Sequence, residues 1–472
     1  MNGVYTICAF GTRAEVIMMR KKMLEVDMIN GSIFKSVVAF VIPLILGNVL
    51  QLLYNAADII VVSRFAGSEA MAAVGATGSL TSLIVSLFIG LSVGTSVVVS
   101  KNYGAHNSLG VHRGVHSSML LSIVAGAFAL VIGLLFSKRL LILMGTPEGT
   151  VLDGAVLYMN VYFIAVPGTL IYNFGAAILR AVGDTKRPLY ILTFSGIVNV
   201  LLNLLFVIVF HMDVAGVAIA TAVSTYISAI AVLITLIRSE TVYKLSLRHL
   251  KFYKNELLEV IRVGVPAGLQ SSVFAISNVL IQSAINSFGT VAIAGSAAAS
   301  NIEGFVYTAM NAFSHAAITA VSQNYGAKNE KRIYRSYYVS TACVAVVGVV
   351  LGLVAAIFGR QLLGIYITDS PEAIEMGMIK IIYLGLPYFM CGILEVQTGM
   401  IRGFGYSTVT MLCSFFGACA FRILWIMFIL PLNHTLQVLY LCWPVSWIVV
   451  MAMQGIFFLC VRKKAIKRMY EA

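Results

Sequence analysis

The sequence predicts an all-α integral membrane fold, twelve transmembrane helices in two pseudo-symmetric six-helix bundles, and three observations carry that prediction. Of 472 residues, 60% are hydrophobic and only 11% charged, whereas a soluble globular domain carries roughly 25% charged residues. Runs such as Leu189 to Phe210 and Val409 to Leu430 are long enough to cross the hydrocarbon core as helices, which takes about 20 apolar residues. A block of the first half returns in the second: Ser100-Lys-Asn-Tyr-Gly-Ala-His-Asn107 recurs as Ser322-Gln-Asn-Tyr-Gly-Ala-Lys-Asn329, 222 positions later. The short alternating segments of a β-barrel are not seen.

Apolar runs bounded by charge place the first six spans at Phe34 to Val62, Met71 to Val99, His116 to Phe136, Val151 to Leu179, Leu189 to Phe210 and Val214 to Ile237. The second six run from Leu257 to Ser287, Val291 to Val321, Tyr337 to Phe358, Ile374 to Ile401, Val409 to Leu430 and Leu436 to Val461. The chain then divides into a tail (1–30), a six-helix lobe (31–237), a basic linker (238–256), a second lobe (257–461) and a closing tail (462–472). With the N-terminus inside, nearly all of the 32 Lys and Arg fall in loops on one side. The opposite loops hold only Arg64, Lys138, Arg139 and Arg360, with Lys380 and Arg422 left inside spans. Cytoplasmic loops hold the excess of basic residues, so both termini are expected in the cytoplasm and the chain in the inner (plasma) membrane. The same placement accounts for the net charge of +13 without a nucleic-acid partner.

The first residues, with Arg13 and Glu15, form neither a cleavable signal nor a clear helix, and translation could equally start at Met19 or Met23. Cys8 lies in this tail. Cys343, Cys391, Cys413, Cys419, Cys442 and Cys460 fall in apolar spans with no ligand spacing, as small packing residues do.

Further anchors keep step with the repeat. Leu179-Arg-Ala-Val-Gly183 returns as Ile401-Arg-Gly-Phe-Gly405, while Pro43 matches Pro266 and Pro167 matches Pro387 to within two residues of the same offset. Six spans per half is even, so the halves enter the membrane in the same direction and are related by an axis along its normal. Two such bundles enclose a cavity that rocking exposes to each side in turn, which points to transport. Loops are short, and no Gly-Lys-Ser/Thr phosphate loop is present, so an ion gradient is expected to supply the work.

Each charge inside a span costs roughly 2.5–3.5 kcal/mol on insertion scales, so the few present are the candidates for coupling. Asp58 in the first span follows Gln51, Tyr54 and Asn55 by one and two turns, and such a carboxylate can bind Na⁺ or take up a proton. Asn199 and Asn203, four apart on the fifth span, and Thr221 in the sixth could complete a site of hard oxygen ligands, or serve as interhelical hydrogen bonds. Glu303 and Glu395 are substrate or coupling candidates. Glu395 could instead pair with Arg402, and Lys380 lies near enough to a boundary to snorkel. Pro43, Pro167, Pro266 and Pro387 are candidate hinges. His112 and His116 lack a third ligand for a metal, and His315 reads as a hydrogen-bonded core residue or a proton relay.

Pro43-Leu44, the run Gln51-Leu-Leu-Tyr-Asn-Ala-Ala-Asp58, the repeated Asn-Tyr-Gly-Ala and Leu179-Arg-Ala-Val-Gly-Asp-Thr-Lys186 resemble the multidrug and toxic compound extrusion (MATE) family over nearly the whole chain from Asp27. The resemblance implies two six-helix lobes and expulsion of organic cations or amphipathic compounds in exchange for Na⁺ or H⁺, with no other cofactor. It also implies that the cation site falls on Asp58, Asn199, Asn203 and Thr221. Many similar members carry an acid where this chain has Asn203, so a two-carboxylate site is not available and the ion stays open. The seventh span holds no acid beyond Glu259 at its edge, leaving Glu395 as the candidate in the second lobe. The 20 methionines would suit a cavity for varied ligands. A flippase for a lipid-linked precursor is the alternative, and it calls for more internal positive charge than Arg422 alone. A membrane enzyme would need a clustered acid, base or metal set that Asp58, Glu303 and Glu395 do not make. One chain holds both bundles, so a monomer is expected.

Overall fold

The computed structural model describes residues 24–61, 67–144, 146, 149–367 and 370–471. Arg64, Cys8 and the alternative starts Met19 and Met23 lie outside them, as does Val62, the expected end of the first span. The first lobe consists of α1 (Ile33–Val61), α2 (Gly67–Gly104), α3 (Ser108–Leu143), α4 (Thr150–Ala181), α5 (Lys186–Leu204, continued by a wide turn Leu205–Val209) and α6 (Asp213–Ile237). The second consists of α7 (Lys254–Asn286), α8 (Thr290–Gly326), α9 (Glu330–Ile357), a broken α10 (α10a, Pro371–Lys380; α10b, Tyr388–Gly403), α11 (Ser407–Ser414, continued to Leu432 through wide turns at Phe415–Ala420 and Trp425–Ile429) and α12 (Leu436–Glu471).

Ten of these are long and apolar enough to cross a membrane, and the broken α10 makes an eleventh. The twelfth, α8, is long but carries Asn301, Glu303, Asn311, Ser314 and His315, a polarity that fits a helix lining an interior. Several helices overrun the spans read from hydropathy. The second span, expected at 71–99, extends to Gly104, the third begins eight residues early at Ser108, and α12 continues through the expected tail to Glu471. Hydropathy finds the apolar length of a helix, while its ends are set by caps in the interface.

The repeated motifs are those caps. Asn-Tyr-Gly-Ala ends α2 and α8, after which His106 (φ 52°) and Lys328 (φ 55°) take the left-handed conformation. Asn107 and Asn329 then start the next helices, their side-chain oxygens accepting from Gly110 N at 2.9 Å and Arg332 N at 3.1 Å. The other repeat closes α4 and α10b. Gly183 (φ 94°) and Gly405 (φ 87°) turn the chain, and Asp184 N and Tyr406 N reach back to Leu179 O and Ile401 O at 2.9 and 3.1 Å, a glycine-dependent C-cap.

α10 breaks at Pro387 with a 43° bend, following a wide turn over Ile381–Gly385. The helices run without interruption through Pro43, Pro167 and Pro266. Lys380 does not snorkel: it is 4% exposed, because it turns inward to an acid on α8.

Lys101, Arg187 and Arg332 mark one face of the molecule, the basic face. The lobes pack against each other over the half nearest to it. α2 crosses α7 where Gly90 meets Gly268 and Gly94 meets Val260 and Gly264, with Val93, Val97, Val263, Ala267 and Ile318 forming the apolar seam. The basic-side half of α1, from Ile33 to Leu44, packs on α8 between Val306 and Ala320. Nearer the opposite face, Gln51, Asn55 and Tyr307 are exposed, so the lobes are sealed on one side and part toward the other.

Candidate functional site

α1, α5 and α6 bring Asp58, Asn199, Asn203 and Thr221 together. Asn203 Nδ2 donates to Asp58 Oδ1, and the Thr221 hydroxyl also bonds the carboxylate. Asn203 Nδ2 reaches Asn199 Oδ1 at 3.4 Å, and Asn199 Nδ2 reaches Thr221 Oγ1 at 3.5 Å. Both asparagines are buried, and Asn203 Oδ1 has no hydrogen-bond partner. Four-residue spacing puts the two amides on one face of α5. α1 is pinned to that face because the Tyr54 ring occupies the space over Gly196, where a Cβ would come within 1.8 Å, and Tyr54 OH donates to Thr193 O at 3.3 Å.

Val61, Val207, Val214 and Val217 form an apolar wall here with Tyr158 of α4 packed against it, and Tyr158 lies within electrostatic reach of Asp58. No signal in the sequence singled out this tyrosine. Gln51 and Asn55 are not part of the cluster. They are exposed and bonded to each other at 3.5 Å. Among the described residues no basic side chain pairs with Asp58. A carboxylate in such surroundings needs a compensating cation or a proton, and its neutral amide and hydroxyl neighbours, including the orphaned Asn203 oxygen, suit a hard monovalent cation.

The acids of the second lobe are placed differently. Glu303 pairs with Lys380 at 3.2 Å, and Lys380 also donates to Ser300 Oγ at 2.5 Å and Ser296 O at 3.4 Å. Removing one member of a buried pair leaves an uncompensated charge, at a cost of about 3–5 kcal/mol. Glu303→Gln is therefore expected to lower the thermal unfolding temperature sharply, and Glu303→Gln/Lys380→Met to recover most of it. A single variant as stable as the parent would show that the pair is not structural.

Glu395 bonds the Ser314 hydroxyl and lies in electrostatic reach of Arg402, but the expected ion pair is not the direct contact. Arg402 Nη2 donates instead to Gln270 Oε1 at 2.8 Å, and Gln270 Nε2 to Ser414 Oγ at 2.7 Å. Arg422 donates to Ser446 at 3.0 Å and covers the Trp443 ring. His116 is held by His112 O at 2.7 Å and by Ser246, and the described residues contain no cluster of three or more His, Cys, Asp and Glu side chains that could hold a metal ion.

The basic face is closed by a segment that hydropathy left as tail. Residues 24–32 cross both lobes. Val26 N donates to Gly183 O at 3.0 Å and Tyr243 OH to Glu25 Oε1 at 2.9 Å in the first lobe. In the second, Asn324 Nδ2 and Arg332 Nε donate to Met28 O at 3.0 and 3.1 Å, and Arg332 also reaches Asn30 O and Gly31 O. Burial alone would raise the Asp27 carboxyl, but hydrogen bonds from Asn30 and Ile29 and the charge of Arg332 hold it below its ordinary range. Beneath this strap, Gln323 Nε2 donates across the lobes to Ala181 O at 2.7 Å.

The family model MatE matches residues 43–205 and 266–428, one copy in each lobe. The chain is 28% identical over 383 residues to the probable multidrug resistance protein YpnP of Bacillus subtilis (strain 168), covering 80% of this chain and 84% of that one. It is 26% identical over 381 residues to the probable multidrug resistance protein YoeA of the same organism, covering 79% and 82%. Among solved structures, the fold is similar to the outward-facing conformation of a multidrug resistance MATE family transporter of the MOP superfamily, with TM-score 0.85, 23% identity, and 95% of this chain and 99% of that one covered.

Proposed function

The chain belongs to the MatE family of multi-pass multidrug efflux transporters, and from that premise we propose that it is a secondary antiporter exporting amphipathic small molecules in exchange for Na⁺ or H⁺ bound at Asp58. The observation that carries the reading is a largely enclosed carboxylate among neutral amide and hydroxyl groups, with no basic partner among the described residues. Loading it with a cation neutralises a charge that otherwise opposes packing of α1 against α5 and α6, so ion occupancy and lobe conformation are linked. The parting of the lobes on one side of a sealed crossing supports alternating access. The concentration of Lys and Arg at the basic face supports its placement in the cytoplasm of the plasma membrane, with the chain acting as a monomer and the parted side facing outward.

In proteoliposomes loaded in turn with a fluorescent organic cation and a fluorescent amphipathic acid, an imposed Na⁺ or pH gradient is expected to drive export of at least one of them, and the effective gradient names the ion. Asp58→Asn is expected to lower gradient-driven export by roughly tenfold or more. Full export by that variant would remove Asp58 as the coupling group, and failure of both gradients with the parent chain would defeat the antiporter reading itself.

A further inference from the structure

The two arginines of the repeated cap motif, Arg180 and Arg402, meet the same interior space from opposite lobes. Arg180 is on the last turn of α4 and Arg402 on the last turn of α10b, where a base suits the negative helix end. That accounts for a base at these positions and not for where the guanidinium groups go. Both come within electrostatic reach of one ring, His315 of α8. The residue after Arg180 is at the crossing itself, Ala181 O accepting from Gln323 of the second lobe. The Nε atoms of Arg180 and Arg402 are both buried without a hydrogen-bond partner.

Comparison across the repeat shows what is missing. Arg402 has an acid in reach, Glu395, and a hydrogen bond to Gln270. The position matching Glu395 in the first lobe is Asn173, whose amide is spent on Thr169 O at 2.8 Å, and the position matching His315 is Val93. The only titratable neighbours of Arg180 among the described residues are Tyr172 and His315, and neither is an anion in ordinary conditions. Two guanidinium groups thus flank one imidazole, and among the described residues the one carboxylate nearby, Glu395, is in reach of Arg402, leaving the charge of Arg180 uncompensated in a half-buried place.

We propose that Arg180, Arg402 and His315 form an anion subsite on the sealed floor between the lobes, which takes the carboxylate or phosphate group of an amphipathic substrate. Planar guanidinium forks match both anions. The proposal rests on the exporter reading and narrows its substrates to molecules that carry an acidic group beside an apolar body.

The test uses the full chain in phosphatidylcholine nanodiscs, titrated with dansyl-leucine and with its uncharged analogue dansyl-leucinamide. The carboxylate is expected to bind about tenfold tighter or better. The preference should fall to about one in Arg180→Gln and be partly kept in Arg180→Lys, with each variant checked for a monodisperse, cooperatively unfolding species. A purely structural arginine would weaken both probes alike and leave their ratio unchanged, which overturns the subsite. Competition by a short-chain phosphatidic acid that dansyl-leucine cannot match would support the subsite and assign it to a lipid headgroup. Gradient-driven export of dansyl-leucine by the parent chain is measured in parallel. Export without any anion preference defeats the subsite alone, whereas an anion preference without export defeats the exporter reading and leaves the subsite standing.

Discussion

Gly104→Val is expected to prevent closure of the basic face. A Cβ at Gly104 would lie 1.9 Å from the carbonyl oxygen of Gln323, and a Cβ at its repeat mate Gly326 would lie 1.9 Å from the carbonyl oxygen of Lys101. Both obstacles are backbone, so no rotamer change relieves them and α2 must separate from α8. Overpacking of this kind costs typically about 1–3 kcal/mol. If the crossing opens during transport, as proposed above, the cost falls on the closed arrangement, and the balance between closed and open is expected to shift by about tenfold or more. In a chain whose native cysteines are replaced by serine, a cysteine at the buried position Thr319 reports the change. Its labelling by a membrane-impermeant maleimide from the basic side should accelerate by about the same factor, with a smaller acceleration in Gly104→Ala. Unchanged labelling together with full export would show that this crossing is not the seal.

Arg332→Ala is expected to release the strap. One guanidinium satisfies three backbone carbonyls, Met28 O at 3.1 Å, Gly31 O at 3.0 Å and Asn30 O at 2.8 Å. Hydrogen bonds to charged groups contribute about 1.5–3 kcal/mol each when well shielded, and the partial exposure of this arginine reduces that. A net loss of about 1–2 kcal/mol follows, equivalent to about tenfold faster opening. Hydrogen–deuterium exchange over residues 24–32 measures it directly. Lysine is expected to rescue only part, since an ammonium group cannot span the carbonyls as a fork does. Exchange as slow as in the parent would place the strap's stability in Asn324 and the Met28 packing instead.

Much of the architecture was legible because the bilayer makes composition informative: any span must satisfy its backbone internally, so long apolar runs can only be helices. The repeat was legible because its anchors are caps, and capping chemistry demands particular residues at fixed spacing. The first-lobe cluster was legible in part, since Asn199 and Asn203 share a helix face by periodicity. That they meet Asp58 depends on α1 lying over Gly196, a contact between helices far apart in the chain. Glu303 and Lys380 are separated by a whole helix, and hydropathy, blind to partners, read the lysine as snorkelling. Arg332 and the strap carbonyls gave no pattern, because a backbone acceptor has no sequence signature.

The sequence by itself therefore determined the solvent, the helices, their caps and the duplication, all of which follow from local chemistry and from the cost of polar groups in hydrocarbon. Only the tertiary structure decided which charges are compensated. Among the described residues it left Asp58 without a base, gave Glu303 to Lys380, moved Arg402 onto Gln270 and left Arg180 without an acid. Compensation is a property of distance in space, and packing of helices from opposite lobes sets those distances.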